Sequence, residues 1–340
     1  MVVNDVYVPS SERYDGAMPY VRCGRSGVRL PAVSLGLWHN FGSLDDFDNS
    51  SAIALRAFDS GITCFDLANN YGPVYGSAEE TFGRILKSSL MPYRDELFIT
   101  TKAGYDMWPG PYGNWGSRKY LMSSLDQSLK RMGLDYVDLF YSHRYDPETP
   151  LEETLQALVD IVRQGKALYA GISNYPVETL DYVFNYMRCQ NVPCLIYQGR
   201  FNMLDCGEQK MELMRRCSEA GVGFTAFSPL AQGLLTDRYL DGNVPAGSRM
   251  ARNVFLKSDV LTERLLSKLN SLQKIAAGRG QSLSEMALSW ILQKREVTSV
   301  IIGASSVGQL DVNVKCVRNT AFTQDELDAI DVLITTDRIV

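Results

Sequence analysis

Eight short, apolar, β-rich runs recur along the 340-residue chain with stretches of helical period between them, and this alternation restricts the fold more than any other feature. The runs are SLGLW around Leu37, ITCFDLA (62–68), LFITTKA (97–103), YVDLFYSH (136–143), ALYAGISN (167–174), CLIYQGRF (194–201), VGFTAFSPL (222–230) and TSVIIGAS (298–305). The intervening segments include RKYLMSSLDQSLKRMG (118–133) and PLEETLQALVDIVRQG (150–165). The second has Pro150 at its start and Gly165 where a C-terminal cap belongs. Eight β/α units predict an α/β fold of the closed parallel (β/α)8 type, a TIM barrel, formed as a single domain over 1–340. Chemistry in such barrels sits at the C-terminal ends of the strands.

Three additions to a bare barrel are expected. YVRCGRSGVRLP (20–31) reads as two short strands around a turn at Gly24 to Gly27, a hairpin suited to closing the barrel bottom. The loop YDMWPGPYGNWGS (105–117), rich in Gly, Pro and aromatics, reads as an ordered wall rather than a linker. The segment from about Ala231 to Thr262 carries basic residues and Gly and is long enough to fold over a ligand.

Composition narrows the partners. A net charge of -5 and a pI near 5.3 leave no basic stripe to neutralise phosphates, so no nucleic-acid partner is expected. No window approaches the ~18 apolar residues that cross a bilayer, and the N-terminus lacks a signal-peptide pattern, so the chain is expected in the cytoplasm with no membrane partner. Seven scattered cysteines without a C-x-x-C pair suit buried, reduced thiols better than a disulfide framework or a metal site.

His143, one of two histidines, ends the run YVDLFYSH. Asp66 and Tyr71 stand at the end of ITCFDLANNYG (62–72) and Lys102 at the end of LFITTKAG (97–104). An acid, a phenol, an amine and an imidazole at one level of successive strands are the parts of a carbonyl-reducing site. Such a reaction needs a hydride, which no side chain supplies, and a proton for the developing alkoxide. On this reading a nearby Lys102 lowers the pKa of Tyr71, the general acid, from its usual ~10, Asp66 holds the lysine, and His143 orients the carbonyl. Each residue alone also suits a rim salt bridge or a satisfied structural role. A Schiff-base role for Lys102 is the competing catalytic reading, disfavoured by so close an acid and phenol. No G-x-G-x-x-G follows a strand, since GVGFTA (221–226) runs into one, so a nicotinamide cofactor must bind on the barrel itself.

GITCFDLANNYG with GSAEETFGRIL, then ITTKAG, YVDLFYSHR, GKALYAGISN, FSPLAQGLLT and IIGAS stand in an order and spacing similar to those of the aldo-keto reductases over nearly the whole chain. The resemblance implies the same catalytic set, Asp66, Tyr71, Lys102 and His143. It further implies an extended NADP across the barrel mouth. Leu37, Trp38 and Asp66 would lie beside it, Ser173, Asn174 and Gln198 would hold its carboxamide, and the segment with Ser228, Pro229, Leu230, Ala231 and Gly233 would follow its pyrophosphate. Arg238, Arg249, Gly303, Ser305, Gln309 and Asn313 fall where the family binds the adenosine phosphate. Ser306 and Val312 depart from the basic residue and glutamate of many relatives, so NADP preference rests on Arg238 and Arg249, which also read as solvated loop charges.

Within the family, SLGLWHNFG, DLANNYGPVYGSAEE and TKAGYDMWPGPYG resemble the branch that holds bacterial L-glyceraldehyde 3-phosphate reductases. Potassium-channel β-subunits belong to the same larger branch and supply the alternative, a redox-sensing regulatory module. The implied substrate is a small aldehyde such as L-glyceraldehyde 3-phosphate or methylglyoxal, and relatives form homo-oligomers of four or more subunits. Trp38, Tyr71, Trp108, His143 and Arg144 are the candidate substrate residues, with Tyr105, Tyr112 and Trp115 as further aromatic wall. Arg144 either meets an anionic substrate group or pairs with Asp146.

Overall fold

The computed structural model describes residues 6–72, 74–245, 249–252 and 258–335. The expected hairpin forms first: β1 (Tyr20–Arg22) pairs antiparallel with β2 (Arg29–Pro31), Tyr20 opposite Pro31. All eight apolar runs then become strands: β3 (Val33–Gly36), β4 (Cys64–Asp66), β5 (Phe98–Ala103), β6 (Val137–Ser142), β7 (Ala167–Ser173), β8 (Cys194–Arg200), β9 (Gly223–Phe227) and β10 (Val297–Ile302). They pair in parallel in chain order, and β10 joins both β9 and β3 to close the barrel. The (β/α)8 architecture is thus the one the alternation demands.

Helices lie between the strands as expected of right-handed β/α crossovers. They are α1 (Phe47–Asp59), α2 (Ser77–Ile85), α3 (Arg118–Met132), α4 (Leu151–Arg163), α5 (Leu180–Cys189) and α6 (Glu208–Ala220). Between β9 and β10 come α7 (Arg249–Arg252), α8 (Glu263–Gly278) and α9 (Leu283–Leu292), and after β10 come α10 (Val307–Val314) and α11 (Gln324–Thr335). The punctuation residues act where the sequence put them. Pro150 directly precedes α4, and Gly133 and Gly165 take the left-handed backbone that ends α3 and α4, at φ 67° and 73°. The inner face of α4 buries Leu155, Leu158 and Ile161 at helical spacing, and each such side chain contributes about 1.5–3 kcal/mol of burial. Among the described residues no helix is long and apolar enough to cross a membrane.

The hairpin closes the N-terminal end of the barrel. Fully buried Cys23 packs with Leu30 among Cys64, Leu139, Leu195 and Ile196, and its Sγ lies 3.4 Å from the Leu195 carbonyl. The backbone N–H of Arg25 donates to Gly221 O at 2.9 Å, fastening the turn to the loop before β9. At the other end the chain leaves the barrel gradually. Leu67 N still donates to Thr100 O at 2.9 Å and Asn69 N to Lys102 O at 2.9 Å. The run ITCFDLA therefore yields a strand of only three residues, yet its extension stays in register beside β5 and carries the chain to Tyr71.

The loop 105–117 is the ordered wall that its composition suggests. Met107 N donates to Gly113 O and Trp115 N to Gly104 O, Gly116 N donates to Asp146 Oδ2, and Thr154 Oγ1 donates to Gly116 O. The long segment after β9 forms short helical turns at Ala231–Gly233, Asp237–Tyr239 and Ser258–Val260 besides α7. The rest of its expected cover, 246–248 and 253–257, lies outside the described residues.

Candidate active site

Strand alternation sorts β5 into two faces. Thr101 faces the helical layer, where its Oγ1 donates to Glu79 Oε1 of α2 at 2.5 Å. Thr100 and Lys102 face inward to Asp66. Lys102 Nζ donates to Asp66 Oδ2 at 2.6 Å, to Leu67 O at 2.7 Å and to the Tyr71 hydroxyl at 3.4 Å. The other carboxylate oxygen, Asp66 Oδ1, accepts from Thr100 Oγ1 at 2.8 Å and Gln198 Nε2 at 2.9 Å. Lys102 is fully buried and Asp66 nearly so, and a pair so buried persists only with its remaining lone pairs satisfied. Glu79, itself fully buried, accepts from Arg131 Nε of α3 at 2.7 Å. It thereby ties the back of β5 to two helices.

Tyr71 is set by a turn and by the start of α2: its N–H donates to Ala68 O, and its carbonyl accepts from Ala78 N. The resting phenol differs from the expectation that Lys102 lowers its pKa. Burial, then the charge of Asp66, push it well above the usual 10.0, so it stays protonated. Burial also draws Lys102 below its ordinary value, while Asp66 works to raise it.

His143 follows β6, with its backbone N–H on Ala103 O at 2.9 Å. Gly104 makes room for it: a Cβ there would stand 2.9 Å from that of His143. The imidazole lies edge-on to Tyr71 and Tyr105, with ring centroids 5.9 and 4.7 Å apart. Its Nδ1 is buried with no hydrogen-bond partner. Burial first, then the cations Lys102 and Arg144, hold it well below 6.5, so it is neutral at physiological pH. The four residues expected as one site stand together at one end of the barrel.

Arg144 does not pair with Asp146, whose oxygens accept from Gly116 N, Glu148 N and Thr149. It stacks on the aromatic wall instead, with its guanidinium carbon 4.4 Å from the Tyr105 ring centroid and 3.5 Å from that of Trp115. Its Nε donates to Gly104 O and its Nη2 to Asn114 Oδ1, both at 2.8 Å. Among the described residues it has no carboxylate partner. Trp115 holds a left-handed φ of 69° to make this stack, a conformation that costs a bulky residue about 1–3 kcal/mol. Trp38 lies 6.3 Å from Tyr71 between ring centroids. Trp108 packs on Tyr120 at 5.1 Å, and Tyr112 is exposed with Lys119 over its ring.

The residues assigned to a dinucleotide line the exits of β7 to β10. Ser173 is buried, and Asn174, at φ 54°, is exposed and donates to His143 O and Ser173 Oγ. Past β9, Ser228, Ala231 and Gln232 all take left-handed backbone, followed by Gly233 at φ 101°, a concentration of strain of the kind found at ligand-binding loops. Pro229 is buried and Leu230 half-buried beside them, while Leu37 is buried across the mouth. Beyond β10, Gly303 and Ser305 are exposed, and Gln309 Oε1 accepts from Ser305 N and Oγ. Ser306 caps α10 by accepting from Gln309 N, which gives this departure from the family pattern a structural role. Two buried polar atoms in the set, Gln232 Oε1 and Asn313 Nδ2, have no hydrogen-bond partner, and such orphans fit a polar ligand along this path. Arg238 is exposed, and the side chain of Arg249 lies outside the described residues.

Sequence reasoning missed Thr100, Glu79 and Arg131. Alternation was the available signal for Thr100, which stands two residues before Lys102 on the same face. Nothing in the sequence distinguishes Glu79 from the exposed Glu80 beside it.

Comparison with known proteins agrees with the fold. The family model described as "Aldo/keto reductase family" matches residues 32–335. The chain is 54% identical over 330 residues to the "L-glyceraldehyde 3-phosphate reductase" of Escherichia coli (strain K12), covering 96% of this chain and 95% of that protein. It is 35% identical over 303 residues to a "Probable voltage-gated potassium channel subunit beta" of Oryza sativa subsp. japonica, covering 88% and 90%.

Proposed function

The chain belongs to the aldo/keto reductase family and is an oxidoreductase, and from that premise we propose that it reduces small aldehydes with NADPH, using Tyr71 as general acid. The observation that carries this reading is Lys102 Nζ, buried between Asp66 Oδ2 at 2.6 Å and the Tyr71 hydroxyl at 3.4 Å. NADPH, when bound, supplies the hydride. Ser173, Asn174 and Gln198 would hold its carboxamide, the 228–233 loop its pyrophosphate, and Ser305, Gln309 and Asn313 its adenosine end, with Arg238 and Arg249 setting preference for the phosphorylated form.

The protein's own part is to place the aldehyde and deliver a proton. Neutral His143 donates one N–H to the carbonyl oxygen and orients it toward Tyr71. The phenol, kept protonated by burial, transfers its proton as negative charge develops on that oxygen. Lys102 then stabilises the phenolate left behind, and Asp66 fixes Lys102.

For the substrate, the named activity of the bacterial relative points to a phosphorylated aldehyde, and Arg144 supports extending it here. Its guanidinium is held between Tyr105 and Trp115 with no carboxylate partner among the described residues, suited to a phosphate. Loss of NADPH absorbance with glyceraldehyde 3-phosphate, methylglyoxal and 4-nitrobenzaldehyde tests the reading. Arg144→Ala should raise KM for glyceraldehyde 3-phosphate about tenfold or more, the worth of one charged contact, and leave KM for 4-nitrobenzaldehyde nearly unchanged. Equal effects on both would remove the phosphate role. The likeness to a potassium-channel subunit favours a second reading, a redox-sensing module. Tight NADPH binding without turnover of any aldehyde would select it.

A further inference from the structure

Asp66 is the narrowest point of the site, because everything Lys102 does to Tyr71 depends on where that carboxylate stands. Its two oxygens are divided. Among the described side chains Oδ2 meets Lys102 alone, at 2.6 Å, whereas Oδ1 accepts two neutral donors, Thr100 Oγ1 at 2.8 Å and Gln198 Nε2 at 2.9 Å. Thr100 is the register partner of Asp66 across the β4–β5 ladder, and Gln198 approaches from β8. All three side chains are nearly devoid of solvent contact.

We propose that Thr100 and Gln198 are positioning residues for proton transfer: they lock Asp66 Oδ1 so that Oδ2 faces Lys102, and Gln198 thereby joins the cofactor's carboxamide site to the proton donor. This inference rests on the reading of Tyr71, Lys102 and Asp66 as the proton-delivering group. The amide of Gln198 has two ends. Its Nε2 donates to Asp66 and also faces the Tyr141 hydroxyl, which leaves Oε1 as the end able to accept from a carboxamide N–H. One side chain then serves the cofactor and the carboxylate at once. Thr100 serves the carboxylate only, since its hydroxyl has no other partner among the described residues. The other ionisable groups facing this cluster are Cys64 on β4, Glu79 on α2, and Tyr141 and His143 on and after β6, with Tyr105 beside Tyr71. None of them donates to Asp66.

The test uses Thr100→Val, which removes the hydroxyl at nearly constant shape, with Thr100→Ser, Gln198→Leu and Tyr71→Phe. Five quantities are measured: kcat, aldehyde KM, the solvent deuterium isotope effect on kcat, NADPH Kd by fluorescence, and Tm. The expected result is a kcat about tenfold lower in Thr100→Val, the worth of one charge-assisted hydrogen bond. Its isotope effect should be larger, its KM, NADPH Kd and Tm near those of the wild type, and Thr100→Ser should recover most of the loss. Gln198→Leu should lose a similar factor in kcat and in addition bind NADPH several-fold more weakly. Wild-type kcat in Thr100→Val, or a loss that follows a fall in Tm and is not recovered by serine, would overturn the proposal. If Thr100→Val does not fold, Gln198→Leu decides: weakened NADPH binding with unchanged kcat would overturn it as well. Turnover that survives in Tyr71→Phe would instead sink the site reading itself, so the two failures are distinguishable.

Discussion

At the residue scale the site depends on charges that burial keeps coupled. Lys102→Met removes the group proposed to stabilise the phenolate but leaves Asp66 its two neutral donors. Turnover should fall by about 10²–10⁴, the range for loss of tuned acid–base catalysis. NADPH affinity measured by fluorescence should change little, and turnover within threefold of wild type would contradict the role. His143 carries a pH prediction for stability. The native imidazole is held well below the unfolded value of 6.5. Between those two values the unfolded chain binds the proton and the folded chain does not, so stability rises with pH there. The contribution is fully present above about pH 6.5 and is lost as pH falls below it, by up to about 1.4 kcal/mol per unit for the one proton. Urea unfolding from pH 7.5 to 5 should show a shallower acid loss in His143→Gln than in wild type. Identical slopes would mean the histidine is not held neutral.

At the element scale, punctuation and alternation carried most of the information. Gly133 ends α3 in the left-handed region at φ 67°, and a Cβ there would meet nothing within 4 Å. Gly133→Ala therefore tests backbone conformation without steric interference and should cost about 1 kcal/mol in denaturant unfolding. No change would mean the cap adds nothing. The apolar runs marked every barrel strand because a buried parallel strand is apolar on both faces. They overstated strand length at β4, where Leu67 and Asn69 keep ladder bonds while the chain already turns toward Tyr71. Strand ends also exposed the acid, the amine and the imidazole. The groups that hold them were hidden, because Thr100 and Glu79 look like any strand threonine or helical glutamate until β4, β5 and α2 are brought together. The direction of the Tyr71 shift was hidden for the same reason: the distance to Lys102 suggested itself from strand order, but the degree of burial did not.

At the scale of the whole molecule, a closed barrel with its N-terminal end filled by the hairpin leaves the other end for chemistry. The catalytic candidates come from the exits of β4, β5 and β6, and the dinucleotide candidates from β7 to β10 together with Leu37, Trp38 and Asp66, so on the proposed reading the cofactor and the proton donor approach a carbonyl from two sides of one mouth. That division is the central claim, and purified wild-type protein beside Tyr71→Phe tests it most directly. Both are followed by NADPH absorbance with glyceraldehyde 3-phosphate, after fluorescence has shown equal NADPH binding. The account predicts steady turnover by the wild type and a loss of at least about a hundredfold in kcat for the variant. Turnover of the same order in both proteins would contradict it.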